Sequence, residues 1–312
     1  MGVNRLPPLA CALGIAILAA MLWWAVVFLG VFLIGLTKSG FGSGVGLMIV
    51  PMTAIALGHI PGRGAEAALG LLLPLLITGD LVAVWQYRHR LLARPPLDGD
   101  AGPVPNGGDE PAAPVFSAAQ ILRRLGPGTV VGVVLGGLLL YWFHTQKQLV
   151  GALMRIEIGI ESILLVGLHW WRQYQGMQQH LVREPMRSHL SGAFAGVSST
   201  LAHAAGPIIA MYLLPLKLNR SLYVGVCALY FFLLNTAKLP AYWAAAQFER
   251  AEASFTLRFL PLVLAGAWFG YWVNRRLSDK LFTRIVYLLT FLLGWYILAD
   301  GLVGLIKLSS WR

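Results

Sequence analysis

Acidic residues are scarce in this chain, with 13 Asp and Glu among 312 residues against 24 Lys and Arg. Charged side chains together make up 12% of the sequence while hydrophobic ones reach 57%, and the mean hydropathy is +0.69. That balance is too apolar for a soluble fold of this length. Cysteine is nearly missing as well. Cys11 and Cys227 both fall in apolar runs, so neither a disulfide framework nor a thiolate metal site is indicated. The sequence holds no GxxxxGK[ST] stretch and no HExxH, and its seven histidines lie mostly near the ends of apolar runs, where they make poor paired haem ligands. Neither an ATPase nor a haem anchor follows, and no cofactor or metal is expected.

What the chain does have is a series of long apolar runs. No charge interrupts residues 6–37, and further runs occupy roughly 64–87, 127–143, 149–171, 189–214, 221–246, 256–274 and 281–306. Each can supply a helix of about 20 residues, the length that spans a bilayer. Lipid offers no partner to an open strand, so the expected fold is an all-α polytopic membrane protein. The first run continues through Trp23, Trp24 and Phe28 with no small-residue cleavage site, which reads as a retained helix. The net charge of +11 does not point to nucleic acid, because the cations are spread over short connections as the positive-inside rule requires. One compositional break, RPPLDGDAGPVPNGGDEPAAP at 94–114, reads as a flexible loop. Arg88, Arg90, Arg94, Arg123 and Arg124 flank it, and a second basic connection carries Arg172, Arg183 and Arg187. Both connections are assigned to the cytoplasmic side.

The two halves of the chain resemble each other. GLMIVP from Gly46 parallels GPIIAM from Gly206, and the stretch from Arg63 to Trp85 parallels that from Arg220 to Tyr242. The expected organisation is a first repeat at 1–171 and a second at 172–312. Should 189–214 fold as a broken, re-entrant pair, the loop charges make these repeats inverted, as in many secondary transporters. A straight crossing there would instead put the Arg275 cluster outside.

Polar residues inside the apolar runs mark the chemistry. In TKSGFGSGVG, residues 37–46, Lys38 and Ser39 precede glycines 40, 42, 44 and 46. Either the glycines pack helices closely, or the backbone leaves the helix there and presents N–H groups to an anion at the start of a new helix. Lys38 would add a full charge, or else snorkel to the interface. In the second half Ser198, Ser199, Thr200 and His203 precede Gly206-Pro207, where proline suits a first helical turn. His203 reads equally as a substrate contact or as a buried histidine bonded to a carbonyl. Asn235 and Lys238 share a helix face, and a lysine within a span is expensive unless it is paired or faces water. Its structural alternative is an ion pair with Asp80, which itself lies near a basic run end and could merely anchor Arg88. Glu157 and Glu161, at i and i+4 with Arg155 nearby, either pair structurally or carry a coupling proton.

Taken in order, Lys38-Ser39-Gly40-Phe41-Gly42, Gly46 to Pro51, Leu73-Pro74, Gly79-Asp80, Ser199-Thr200, Ala202-His203-Ala204, Gly206-Pro207, Tyr212 to Pro215, and Asn235 with Lys238 resemble the TauE/SafE family of sulfite and organosulfonate exporters. Ser43, Ala205 and the 94–114 insertion depart from the family pattern. The resemblance implies a bacterial inner-membrane carrier of small sulfur-containing anions, a secondary transporter and not an enzyme, whose partners are the anion and the bilayer. The expected anion site is Lys38, Ser39, Gly40, Gly42, Gly44, Gly46, Ser199, Thr200, His203, Gly206, Asn235 and Lys238, with Asp80, Glu157 and Glu161 as coupling residues. The rival readings are a non-transporting membrane scaffold and an intramembrane hydrolase built on Ser and His.

Overall fold

A computed structural model gives the fold and describes residues 8–42, 46–60, 67–92, 117–145, 150–174, 185–213, 216, 218, 220–248, 250–274 and 279–309. The 94–114 loop and Gly44 lie outside them. The described residues form helices α1 (Pro8–Gly40), α2 (Gly46–His59), α3 (Ala67–Leu92), α4 (Ala118–Thr145), α5 (Val150–Tyr174), α6 (Pro185–Ala202), α7 (Gly206–Leu213), α8 (Arg220–Ala237), α9 (Leu239–Ala244), α10 (Arg250–Val273) and α11 (Asp279–Ser309), with no strand among them. Among the described residues, six stretches are long and apolar enough to cross a membrane: Ala20–Gly40, Ala67–Leu92, Ala118–Phe143, Arg220–Ala244, Thr256–Val273 and Thr290–Lys307.

Two helices stop in mid-run, and both do so by entering left-handed backbone. At the end of α1 the amides of Phe41 and Gly42 both donate to Thr37 O at 2.9 Å, and Gly42 has φ +74°. A Cβ there would also lie 3.0 Å from Val224 Cα, so glycine is required twice over. At the end of α6, His203 takes φ +52° while its amide donates to Ser199 O at 3.0 Å. A non-glycine residue in that region costs about 1 kcal/mol or more, which surrounding contacts must offset. Residues 189–214 are thus a broken pair, not one straight helix.

After the first break the chain doubles back. A methyl on Gly30 would meet Met52 and Thr53, and the Trp23 ring stacks on His59 with centroids 4.3 Å apart, so α2 runs antiparallel along α1. Elsewhere, small residues bring helices to backbone contact. On α4, Gly128, Gly132 and Gly136 face His189, Ala193 and Val197 of α6, while Gly192 and Gly196 of α6 face Leu125 and Thr129 in return. The order of these contacts makes α4 and α6 parallel. Gly35 against Val263 and Gly40 against Gly270 make α1 and α10 parallel in the same way. By contrast, α5 and α11 are antiparallel, with Gly159 on Leu298 and Gly301 on Ile156. So are α3 and α8, where Asp80 meets Asn235 while Gly225 faces Tyr87.

Three polar contacts tie helix ends together at one level. Tyr87 OH donates to Ser39 O at 2.8 Å, and Asn274 Nδ2 donates to Gly40 O at 2.6 Å and to Tyr87 OH at 3.0 Å. They satisfy carbonyls that the end of α1 would otherwise leave unbonded. They also place the ends of α1, α3 and α10 on one face of the bundle. Because α3 continues to Leu92, Asp80 stands 13 residues from its start and 12 from its end. This corrects the expectation that Asp80 lies close to a basic end. Arg88 has a partner of its own, donating from Nη1 to Trp85 O at 2.6 Å.

Candidate functional site

Near the middle of α3 and the end of α8 the two intramembrane lysines each find their partners. Lys38, in the last turn of α1, puts Nζ 2.7 Å from Asp80 Oδ1 and 4.3 Å from the centre of the Phe231 ring. The first contact is an ion pair by distance, not a well-angled hydrogen bond. On its other oxygen, Oδ2, Asp80 accepts from Asn235 Nδ2 at 2.7 Å. The carboxylate is wholly buried, and the lysine side chain retains 11% exposure. Here the sequence-level alternative is corrected: the partner of Asp80 is Lys38, not Lys238.

Lys238 sits at the joint between α8 and α9, where Pro240 lacks the N–H that would have continued α8. It is 0% exposed. Its Nζ donates to Ser199 O at 2.8 Å, to Ser199 Oγ at 3.0 Å and to His203 Nδ1 at 2.8 Å, which uses all three N–H bonds. An ammonium can only donate, so His203 Nδ1 is the acceptor. The ring proton is then on Nε2, which reaches Leu69 O at 3.1 Å. Tyr242 OH donates to Thr200 O at 2.7 Å and lies 3.4 Å from His203 Nε2. Together these contacts hold the left-handed turn of His203 in place.

The sequence-predicted residues therefore divide into three groups. Lys38 and Asn235 meet at Asp80, and Lys238 meets Ser199 and His203, while Thr200 and Ser39 take part through their carbonyls. Gly40 and Gly42 shape the end of α1, and Gly46 and Gly206 begin α2 and α7; in the first turn of α7 the N–H groups of Gly206 and Ile208 have no intrahelical acceptor, since Pro207 has no N–H and Ile209 N donates to Ala205 O at 3.1 Å. Glu157 and Glu161 stand apart on α5, partly buried, and Arg155 lies 3.5 Å from Asp300 of α11 instead of pairing with them. Ser39 Oγ is buried with no hydrogen-bond partner.

Sequence reading passed over Tyr87, Tyr242, Phe231 and Asn274. A signal for the tyrosines was present, because Tyr87 and Tyr242 each follow seven residues after the polar residue, Asp80 or Asn235, that joins α3 to α8. Each tyrosine bonds a carbonyl three residues before a left-handed residue that follows a broken helix: Ser39 before Gly42 after α1, and Thr200 before His203 after α6.

The cluster holds two lysines and one carboxylate, closed off by apolar helices. A buried surplus cation is costly without an anion nearby. Compared with known families, residues 117–297 match the family model described as Sulfite exporter TauE/SafE. No curated protein and no solved structure matches the chain. The matched region takes in more than half of the sequence and carries Ser199, His203, Asn235 and Lys238, so the chain is a multi-pass membrane protein of the sulfite exporter TauE/SafE family.

Proposed function

We propose that this chain is a secondary transporter that carries small sulfur oxyanions, sulfite or an organosulfonate, across a bacterial inner membrane, binding them between Lys38 and Lys238. The observation behind this reading is the charge count at the centre of the bundle, where Asp80 offsets one lysine and nothing of opposite sign touches the other. The N–H groups that open α2 and α7 add donors suited to an oxyanion's remaining oxygens. A cell interior that is negative by 100 mV favours exit of each negative charge by about 2.3 kcal/mol, so export of an anion is downhill electrically.

Helix directions support two inverted repeats, 1–171 and 172–312, with α1–α2 and α6–α7 as their broken, re-entrant pairs. Exchanging the halves turns the parallel pair α1 and α10 into the parallel pair α6 and α4. It turns the antiparallel pairs α3 with α8 and α5 with α11 into themselves. A two-fold axis across the helices would relate them in this way.

A Ser–Lys hydrolase is the nearest rival, since Ser199 Oγ is 3.0 Å from Lys238 Nζ. A general base needs a free lone pair, whereas this Nζ donates to three acceptors, one of them the carbonyl of Ser199 itself. His203, with Nδ1 on Lys238 and Nε2 toward Leu69 O, does not face a serine hydroxyl.

Transport is tested with the purified full chain in proteoliposomes loaded with unlabelled sulfite. Saturable uptake of labelled sulfite by exchange, missing from empty vesicles, is the expected result. If sulfite, thiosulfate, sulfonates and sulfate all fail to exchange above the empty-vesicle rate, the reading is wrong.

Topology makes a separate prediction. The ends of α3 and α10 share a face. Single cysteines at Asn106 and Ser278, placed in a chain without Cys11 and Cys227, should both resist an impermeant thiol reagent in intact cells and react after lysis. Labelling of either one from outside would refute the cytoplasmic assignment.

A further inference from the structure

The two lysines of the bundle use their hydrogen-bonding capacity in opposite ways. Lys238, fully buried, gives its three N–H bonds to neutral acceptors, Ser199 O, Ser199 Oγ and His203 Nδ1, so no N–H is left for a ligand. Lys38 makes no hydrogen bond of good geometry among the described residues. Its Nζ stands 2.7 Å from Asp80 Oδ1, an atom that is itself without a hydrogen-bond partner, and 4.3 Å from the centre of the Phe231 ring. Both contacts are electrostatic, and neither fixes the direction of an N–H bond. The Lys38 side chain also keeps 11% exposure, whereas Asp80 has none.

Asp80 is held from its other side. Asn235 Nδ2 donates to Oδ2 at 2.7 Å, so the carboxylate keeps one directed hydrogen bond if Lys38 turns away from Oδ1. Lys238 follows Asn235 by one turn, its amide donating to Leu234 O at 3.2 Å, and residues three apart on a helix are neighbours. His203 is neutral, because its Nδ1 accepts from Lys238. Two cations and one carboxylate therefore gather at the end of α8, with one positive charge in surplus.

We propose that Asp80 is a resident stand-in for the substrate: its Oδ1 occupies on Lys38 the place that an oxygen of sulfite or a sulfonate takes when the anion binds, while Asn235 retains the carboxylate. The inference rests on the carrier reading given above and deepens it by assigning the anion's point of contact to Lys38. A carboxylate and a sulfur oxyanion offer an ammonium the same kind of acceptor, an oxygen that shares a negative charge. In the empty carrier Asp80 spares the bundle a bare cation within the membrane. With the anion in place, two cations face two anions and the surplus is gone. Lys238 then attracts the anion by its charge and leaves the contact to Lys38.

The test has two readouts on the purified full chain. Asp80→Asn removes the competitor from Lys38 and should bind sulfite about tenfold or more tighter than the parent, a gain that structural damage does not produce. Affinity equal to or below that of the parent in a folded variant overturns the inference. A charge effect alone would raise affinity without disturbing the carboxylate, so the second readout follows Asp80 in the parent. With carbon-13 in the aspartate carboxyls, infrared difference spectra should show a carboxylate band that shifts on addition of sulfite, and that shift should be missing from Asp80→Asn. An unshifted band in the parent overturns the inference whatever the affinities, and it decides alone should the variant not reach the membrane. If the parent does not exchange sulfite at all, the carrier reading has failed; if it does and either readout misses, only this inference has.

Discussion

Lys238→Gln should weaken sulfite binding by about tenfold or more, corresponding to at least about 1.4 kcal/mol, with the protein still folded in the membrane. At an effective dielectric near 20, a cation about 4 Å from a unit negative charge gains roughly 4 kcal/mol before desolvation is subtracted. Loss of even a third of that reaches the predicted effect. No carboxylate touches Lys238, so its removal leaves no orphaned charge, and a glutamine amide can still donate to Ser199. Lys38 is different. Its loss alone would strand Asp80, which is wholly buried, at a cost of about 3–5 kcal/mol. The informative variant is therefore Lys38→Gln/Asp80→Asn, which removes both charges. It should restore expression relative to Lys38→Gln but not binding. Equilibrium binding of sulfite to purified protein decides the matter. If Lys238→Gln and the double variant both bind within about twofold of the parent, the anion site lies elsewhere.

Gly132→Val should cost more in folding than any side-chain change on the surface of the bundle. A Cβ at Gly132 would stand 2.1 Å from Ala193 O, and one at Gly196 would stand 2.6 Å from Thr129 O. These neighbours are backbone and cannot rotate away, so α4 and α6 must separate along their whole length. Overpacking of a core by a few methyl groups costs about 1–3 kcal/mol, and backbone collisions belong at the upper end. Because α6 carries Ser199 and Thr200, the displacement also reaches the partners of Lys238 and Tyr242. Gly126→Ala and Gly167→Ala are the controls, since a Cβ at either meets nothing within 4 Å. They should be neutral or gain up to about 1 kcal/mol from helix propensity. Thermal unfolding in detergent, followed by size-exclusion chromatography, compares the three. An unfolding temperature for Gly132→Val equal to the parent would refute the close-packing account.

Much of this architecture can be read from residues that break a pattern. Lys38, Asp80 and Lys238 stand out because each interrupts an apolar run, and Gly206-Pro207 announces a new helix after a halt. Partnership was the hidden part. Sequence spacing allowed Asp80 to pair with Lys238, yet α3 and α8 run antiparallel and set Asp80 against Asn235. That leaves Lys238, one turn further on, facing the end of α6. Asp80 was read as lying near a basic run end because apolarity fades there, although the helix itself continues to Leu92 under its arginines. The glycine stripe of α4 and α6 keeps regular spacings of four residues, so it was legible in principle. What it packs against was not, since helix partners are chosen by shape across more than 50 residues of intervening chain.

The hydrogen bond between Asp80 and Asn235 has a bearing on what kind of molecule could contain it. Under the proposed inverted repeat, α3 and α8 exchange with one another, and residues near the dividing line meet across it. Had both positions been aspartate, two carboxylates would compete for Lys38. Had both been asparagine, Lys38 would lack its counter-ion. A pair of identical chains is restricted to one of those two contacts. Under that proposal, joining the halves in a single polypeptide lets one side of the contact be anionic and the other neutral, an asymmetry that two identical chains could not hold.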